Sequence, residues 1–178
     1  MVGEHAIHNG QVIPIDEAVM PITSAEVQSG FYVYEALRIV EAHPVHLDDH
    51  LKRLQRSAEL IALVHPFSYE DLASSVQKLI AVDRIAQGSM RIQIYGGPKA
   101  HLFITATTIL TYPDSYYREG VSVITYSGER LFPSSKTGNL LLNYVAREQA
   151  KSVGCFEALL CDAQGSVLEG TRSNFFAI

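Results

Sequence analysis

The chain has 178 residues, a formal net charge of -5 and 47% hydrophobic residues. That hydrophobic share can build a sizeable core, as one large domain or two small ones. The acidic balance gives no electrostatic basis for nucleic-acid binding, and no apolar run reaches the length of a membrane-spanning helix.

In chain order, short strands are expected over 6–8 and 12–15, joined by Asn9-Gly10, a strong hairpin-turn dipeptide. A second hairpin is expected over 36–46, turning near Ala42-His43-Pro44. A helix should follow over 48–63, where Leu51, Leu54, Ala58 and Ile61 recur at helical spacing, with Pro66 closing the stretch. Ser68 reads as the N-cap of another helix running to 82, with Asp71 three residues on. Strands are expected over 90–95 and 102–108, separated by Gly96-Gly97-Pro98-Lys99. The polar, turn-rich stretch 112–120 marks a domain boundary, which divides the chain into 1–117 and 118–178. Beyond it come a strand over 121–126, a helix over 143–153 stopped by Gly154, a strand over 157–161 and a return strand over 166–168. Residues 174–178 read as a terminal apolar strand.

The polar, acidic start of the chain does not read as a signal peptide. Cys155 and Cys161 match neither a CxxC motif nor a disulfide framework, which predicts reduced thiols in a cytoplasmic protein. His43, His46 and His50 fit no tight ligand spacing, so no metal is expected.

The chemistry concentrates on Lys136 and Glu169. Lys136 opens Lys136-Thr137-Gly138-Asn139, and a lysine amine can form a Schiff base with an aldehyde cofactor. Glu169 sits in Glu169-Gly170-Thr171-Arg172-Ser173-Asn174, and a carboxylate can pair with a pyridinium nitrogen and keep the ring an electron sink. Between them lies Glu157-Ala158-Leu159-Leu160-Cys161-Asp162. Upstream stand Tyr34-Glu35-Ala36-Leu37-Arg38 and His50-Leu51-Lys52-Arg53-Leu54. Each residue alone has a plainer reading. Lys136 could be a solvated loop lysine, Glu169 a turn acid, and Arg53 a surface residue paired with Asp49 at i,i+4.

Taken together and in this order, these motifs resemble the fold-type IV, or class IV, pyridoxal-phosphate enzymes. That family includes D-amino acid and branched-chain aminotransferases and aminodeoxychorismate lyases. The resemblance implies an α+β or α/β two-domain fold: a small α/β N-terminal domain over 1–117, then the start of a larger β-barrel-like α/β domain, truncated relative to the family. It implies pyridoxal 5'-phosphate as cofactor, held as a Schiff base by Lys136. Glu169 would face the ring nitrogen, and Arg53 would bind the phosphate beside a loop of Thr171, Ser173 and Asn174. Lys99 and His101 resemble the Arg-x-His pair that holds a substrate carboxylate, with lysine replacing the bidentate fork. Arg91 is a second carboxylate candidate.

The expected activity is amino transfer between an amino acid and a 2-keto acid, with Lys136 carrying the α-proton. As a base near neutral pH, Lys136 would need burial or nearby positive charge. Lyase-type β-elimination and a shortened, non-catalytic relative stand as alternatives. A homodimer is implied by the same resemblance. Three departures bear on substrate choice and length. Phe31 and Tyr32 replace a small-residue run and narrow the substrate side, Leu141 stands where branched-chain enzymes carry a tyrosine, and family members continue well beyond residue 178.

Overall fold

The computed structural model describes residues 3–177. The chain forms two compact units: residues up to Leu110 together with Ser134–Gly138, and Thr111–Pro133 together with the residues from Asn139 onward. The division therefore falls before the expected 117/118, and a short segment containing Lys136 returns to the first unit.

The first unit is a six-stranded antiparallel sheet. Its strands are β1 (His5–His8), β2 (Gln11–Pro14), β3 (Tyr32–Val40), β4 (His43–Pro44), β5 (Gln87–Tyr95) and β6 (His101–Thr107), in the order β2-β1-β6-β5-β3-β4. The β1–β2 turn is Asn9-Gly10 as expected, with φ of 50° and 81°. The β3–β4 turn is Glu41-Ala42, one step earlier than expected, and both residues take positive φ (49° and 61°) without the usual Asn or Gly. Strands β3 and β5 begin well before their expected starts, because they pair with each other from Tyr32↔Tyr95 to Val40↔Gln87.

Alternation then sorts the side chains. Val33, Glu35, Leu37 and Ile39 of β3 and Met90, Ile92 and Ile94 of β5 are buried on one face. The short helix α1 (Ala25–Ser29) precedes β3. Two helices of the unit, α2 (Leu47–Leu60) and α3 (Tyr69–Val82), carry apolar stripes (Leu51, Leu54, Ala58; Leu72, Val76, Leu79) into the core of that face. Helix α3 starts with the expected capping box, Ser68 and Asp71 each bonding the other's backbone N–H.

The second unit is smaller. Stretch 112–120 is not all turn. Pro113 and Gly120 bracket helix α4 (Asp114–Glu119), the arrangement in which proline starts a helix and glycine stops it. Strand β7 (Val123–Ser127) runs parallel to β8 (Glu157–Cys161), and β9 (Val167–Gly170) pairs antiparallel to β8. Helix α5 (Leu141–Ser152) lies between β7 and β8 in sequence, and its Ala146 and Ala150 pack with Ala158 and Leu160. Residues 174–177 form no strand, a correction to the terminal-strand reading, and residue 178 lies outside the described residues. Among the described residues no helix is long and apolar enough to cross a membrane.

Candidate active site

Lys136 is fixed by its backbone. Its carbonyl accepts from Tyr34 N–H at 2.9 Å, Gly138 N–H donates to the Tyr32 carbonyl at 2.8 Å, and Thr137 bridges Val33 antiparallel. The segment therefore adds a short run of pairing beside β3. Lys136 N–H donates to Ser57 Oγ of α2 at 3.1 Å, and Ser57 is buried. The pairing brings Gly138 so close to Tyr32 that a Cβ there would lie 2.0 Å from a ring carbon. With the backbone held this way, Lys136 Nζ rests 4.7 Å from the Tyr34 ring centroid, and the Arg91 guanidinium carbon lies 4.2 Å from the same centroid. Two cations thus share one aromatic ring.

The open sheet face continues from there as a run of rings. Tyr32 stacks on Tyr95 with centroids 4.5 Å apart, and Tyr95 meets Phe103 edge-on at 6.2 Å. His8 lies flat on Phe103 at 4.4 Å, and its Nε2 is hydrogen-bonded with His101 Nδ1 at 3.0 Å. Burial, and then the neighbouring His101 and Lys99, push the His8 imidazole below its ordinary value. Of the expected carboxylate ligands, Arg91 and His101 are half-buried and Lys99 is exposed. Phe31 packs against the core, whereas Tyr32 and Tyr34 stand on the open face.

Arg53 does not pair with Asp49. It turns to Glu35, a wholly buried carboxylate on the core face of β3. Arg53 Nε donates to one Glu35 oxygen at 2.5 Å and Nη2 to the other at 2.7 Å, where His50 Nδ1 also sits at 2.8 Å. The hydrogen bonds it donates to Glu35 make the guanidinium hold its proton more tightly than usual, against the cost of burial. Asp49 instead lies 3.7 Å from His46.

In the second unit, Arg130 Nε donates to Glu169 at 2.5 Å and its Nη2 to the Pro133 carbonyl at 2.9 Å. Thr171 is buried, while Ser173 and Asn174 are exposed. The loop that carries them is organised by Glu157, buried at the start of β8. Glu157 accepts from Thr171 Oγ1, from Ser173 Oγ at 3.1 Å, and from the backbone N–H groups of Arg172 (3.2 Å) and Ala158 (2.9 Å). Asn143 Nδ2 adds a bond to the Thr171 carbonyl at 3.0 Å. Burial alone would raise the Glu157 carboxyl, but these donors hold it below its ordinary value.

Sequence reasoning gave no role to Glu35, Ser57, His8, Arg130 or Glu157. Glu35 and Glu157 left a signal: each is an acid among apolar residues of a strand, and a buried acid requires partners. His8 and Ser57 act through partners far away in the chain and left none.

The first unit's donor set fits an anionic aldehyde cofactor and its substrate. It offers a backbone-locked primary amine and a guanidinium on the same ring. The Arg91 Nε is buried with no hydrogen-bond partner among the described residues, a donor that an incoming acceptor would satisfy.

The amino-transferase class IV family model matches residues 32–178. Over 181 residues the chain is 32% identical to the D-alanine aminotransferase of Bacillus licheniformis, covering 96% of this chain and 64% of that protein. The branched-chain aminotransferase of Thermoproteus uzoniensis, solved with norvaline, matches with a TM-score of 0.84 at 25% identity, over 95% of this chain and 63% of the other. The Escherichia coli branched-chain amino acid aminotransferase shares the fold at a TM-score of 0.85 and 19% identity, over the same two shares. A further branched-chain neighbour of the same fold was solved with pyridoxamine 5'-phosphate. The chain spans 64% of the length of the D-alanine aminotransferase it matches. By the family model, the chain belongs to the class IV amino-transferase family.

Proposed function

We propose that the chain is a pyridoxal-phosphate-dependent aminotransferase that moves an amino group between an amino acid and a 2-keto acid, with Lys136 as covalent anchor and proton carrier. The observation that carries this reading is the placement of Lys136. Its backbone is clamped to β3 and Ser57, and its amine and Arg91 share the Tyr34 ring. Pyridoxal phosphate, when bound, supplies a ring that takes up the electron pair left at the substrate α-carbon.

The remaining work falls to side chains. Lys136 Nζ would hold the cofactor through its aldehyde carbon, with water leaving, and as a free amine it would take the proton from the substrate α-carbon and give it back. Arg53, its fork held side-on by Glu35, offers its outer N–H groups to the phosphate. Glu169 pairs with the ring nitrogen, and Thr171, Ser173 and Asn174 supply the loop beside the phosphate. Arg91, with Lys99 and His101, receives the substrate carboxylate, and Tyr32 borders the substrate. A homodimer in the cytoplasm completes this reading.

The test is the visible spectrum of the purified chain with added pyridoxal phosphate, followed by borohydride reduction and peptide mass mapping. The expected result is an absorption band absent from Lys136→Ala, with the reduced adduct on the peptide carrying Lys136. An adduct on another lysine, or equal bands in both proteins, would overturn it.

A further inference from the structure

His8 stands opposite Phe103 in the β1–β6 pairing, so it shares a sheet face with His101, two positions earlier on β6. Its ring lies on Phe103 with planes 3° apart, and the His8 and His101 planes differ by 19°. Two nearly coplanar imidazoles with Nε2 and Nδ1 3.0 Å apart form an in-plane N–H···N bond. One ring must donate and the other accept. If His101 donated from Nδ1, both rings would hold the less stable Nδ1–H form. If His8 donates from Nε2, both hold the more stable Nε2–H form. Which nitrogen of an imidazole carries the proton is set by the bond the other makes.

We infer that His8 is a positioning residue: its Nε2–H donates to His101 Nδ1, which locks His101 in the Nε2–H tautomer and leaves that N–H as the ring's donor for a carboxylate. This rests on the carboxylate role proposed for His101. The surroundings agree. His101 on β6 and Lys99 in the β5–β6 loop both act against a charge on His8. His8 can donate from Nε2 with or without a charge, and Phe103, stacked on it with planes 3° apart, keeps its plane. Lys99 then supplies the charge and His101 the directed hydrogen bond. Together they replace what a bidentate arginine does with one side chain.

The test uses the 15N-labelled chain and long-range imidazole 15N–1H spectra at about pH 8, above the ordinary imidazole range, with propionate as the carboxylate probe. In the parent, His101 should show an unprotonated Nδ1 and a protonated Nε2, and propionate should shift Nε2. His8→Phe, which keeps a ring on Phe103 but has no donor, should give exchange-averaged His101 nitrogens and bind propionate roughly fivefold more weakly, the worth of one ordinary hydrogen bond. His8→Gln, whose amide can donate to Nδ1, should restore both. His101 nitrogens unchanged in His8→Phe would overturn the lock, even if propionate still shifts Nε2 and the carboxylate role survives. A lock present in the parent with no response to propionate would overturn the proposal through His101 itself, and the Lys136 adduct would stand apart from that failure.

Discussion

Glu35 holds the Arg53 fork from inside the core: both carboxylate oxygens accept from Arg53, and no part of Glu35 is exposed. The Arg53 side chain is 55% exposed, so the pair links the core to the open edge of α2. Arg53→Ala would leave the carboxylate buried with His50 as its remaining side-chain partner. A fully buried charge stripped of its partner loses about 3–5 kcal/mol, and the exposure of Arg53 reduces this to about 2 kcal/mol. Urea unfolding checks it. Arg53→Lys keeps the charge but loses the fork, and should fall between parent and alanine. A loss under about 0.5 kcal/mol for Arg53→Ala would mean that the pair is surface-like.

Gly138 and Tyr32 compete for one volume. A Cβ on Gly138 would sit 2.0, 2.3 and 2.4 Å from three Tyr32 ring atoms. Gly138→Ala must therefore either unstack Tyr32 from Tyr95 or pull Lys136 from β3. A loss of about 1–3 kcal/mol is expected, together with weaker capture of pyridoxal phosphate. Tyr32→Ala in the same chain should recover most of it. A double-mutant cycle measures the coupling, and strictly additive losses would refute the steric account.

Legibility followed the range of the interactions. The Ser68–Asp71 box and the Asn9-Gly10 turn are local, and both appear as expected. Helix α4 was missed because Pro113 and Gly120 are turn signals and helix boundaries alike. The early starts of β3 and β5 depend on their mutual pairing, which no local pattern carries. The Glu41-Ala42 turn uses residues that rarely take positive φ. The same holds at the candidate site. Lys136, Glu169 and Arg53 stood out as types in a motif, whereas Ser57, which fixes Lys136, and Glu35, which fixes Arg53, act across the fold.

Ser57 is the helix-side anchor of the lysine. Ser57→Ala would leave the Lys136 N–H without its buried acceptor, at a cost of about 1–3 kcal/mol. Amide hydrogen exchange should report it. Lys136 N–H should exchange at least about tenfold faster, while amides in the centre of β5 hold their protection. Adduct formation with pyridoxal phosphate should slow as the amine loses its fixed origin. Unchanged exchange at Lys136 would place its restraint entirely in the β3 pairing.

Glu157 makes the second unit acid-sensitive. Its burial raises the carboxyl's pKa, but donation from Thr171, Ala158, Arg172 and Ser173 outweighs that and lowers it below the ordinary value. A carboxyl with a depressed folded-state value binds its proton more readily when unfolded. Its stabilisation is therefore complete above the unfolded value, about 4.3, and disappears as pH falls through the folded value. The loop 170–173 should loosen in that acid range, and the amide signals of Thr171 and Arg172 in 15N–1H spectra should shift or broaden there. In Glu157→Gln the acid-dependent part should vanish, because the amide cannot titrate. The variant should also be less stable than the parent at neutral pH, since half of the acceptor becomes a donor facing either the Arg172 N–H and Ser173 hydroxyl or the Ala158 and Thr171 donors. Equal acid sensitivity in Glu157→Gln and the parent would assign the transition to another carboxylate.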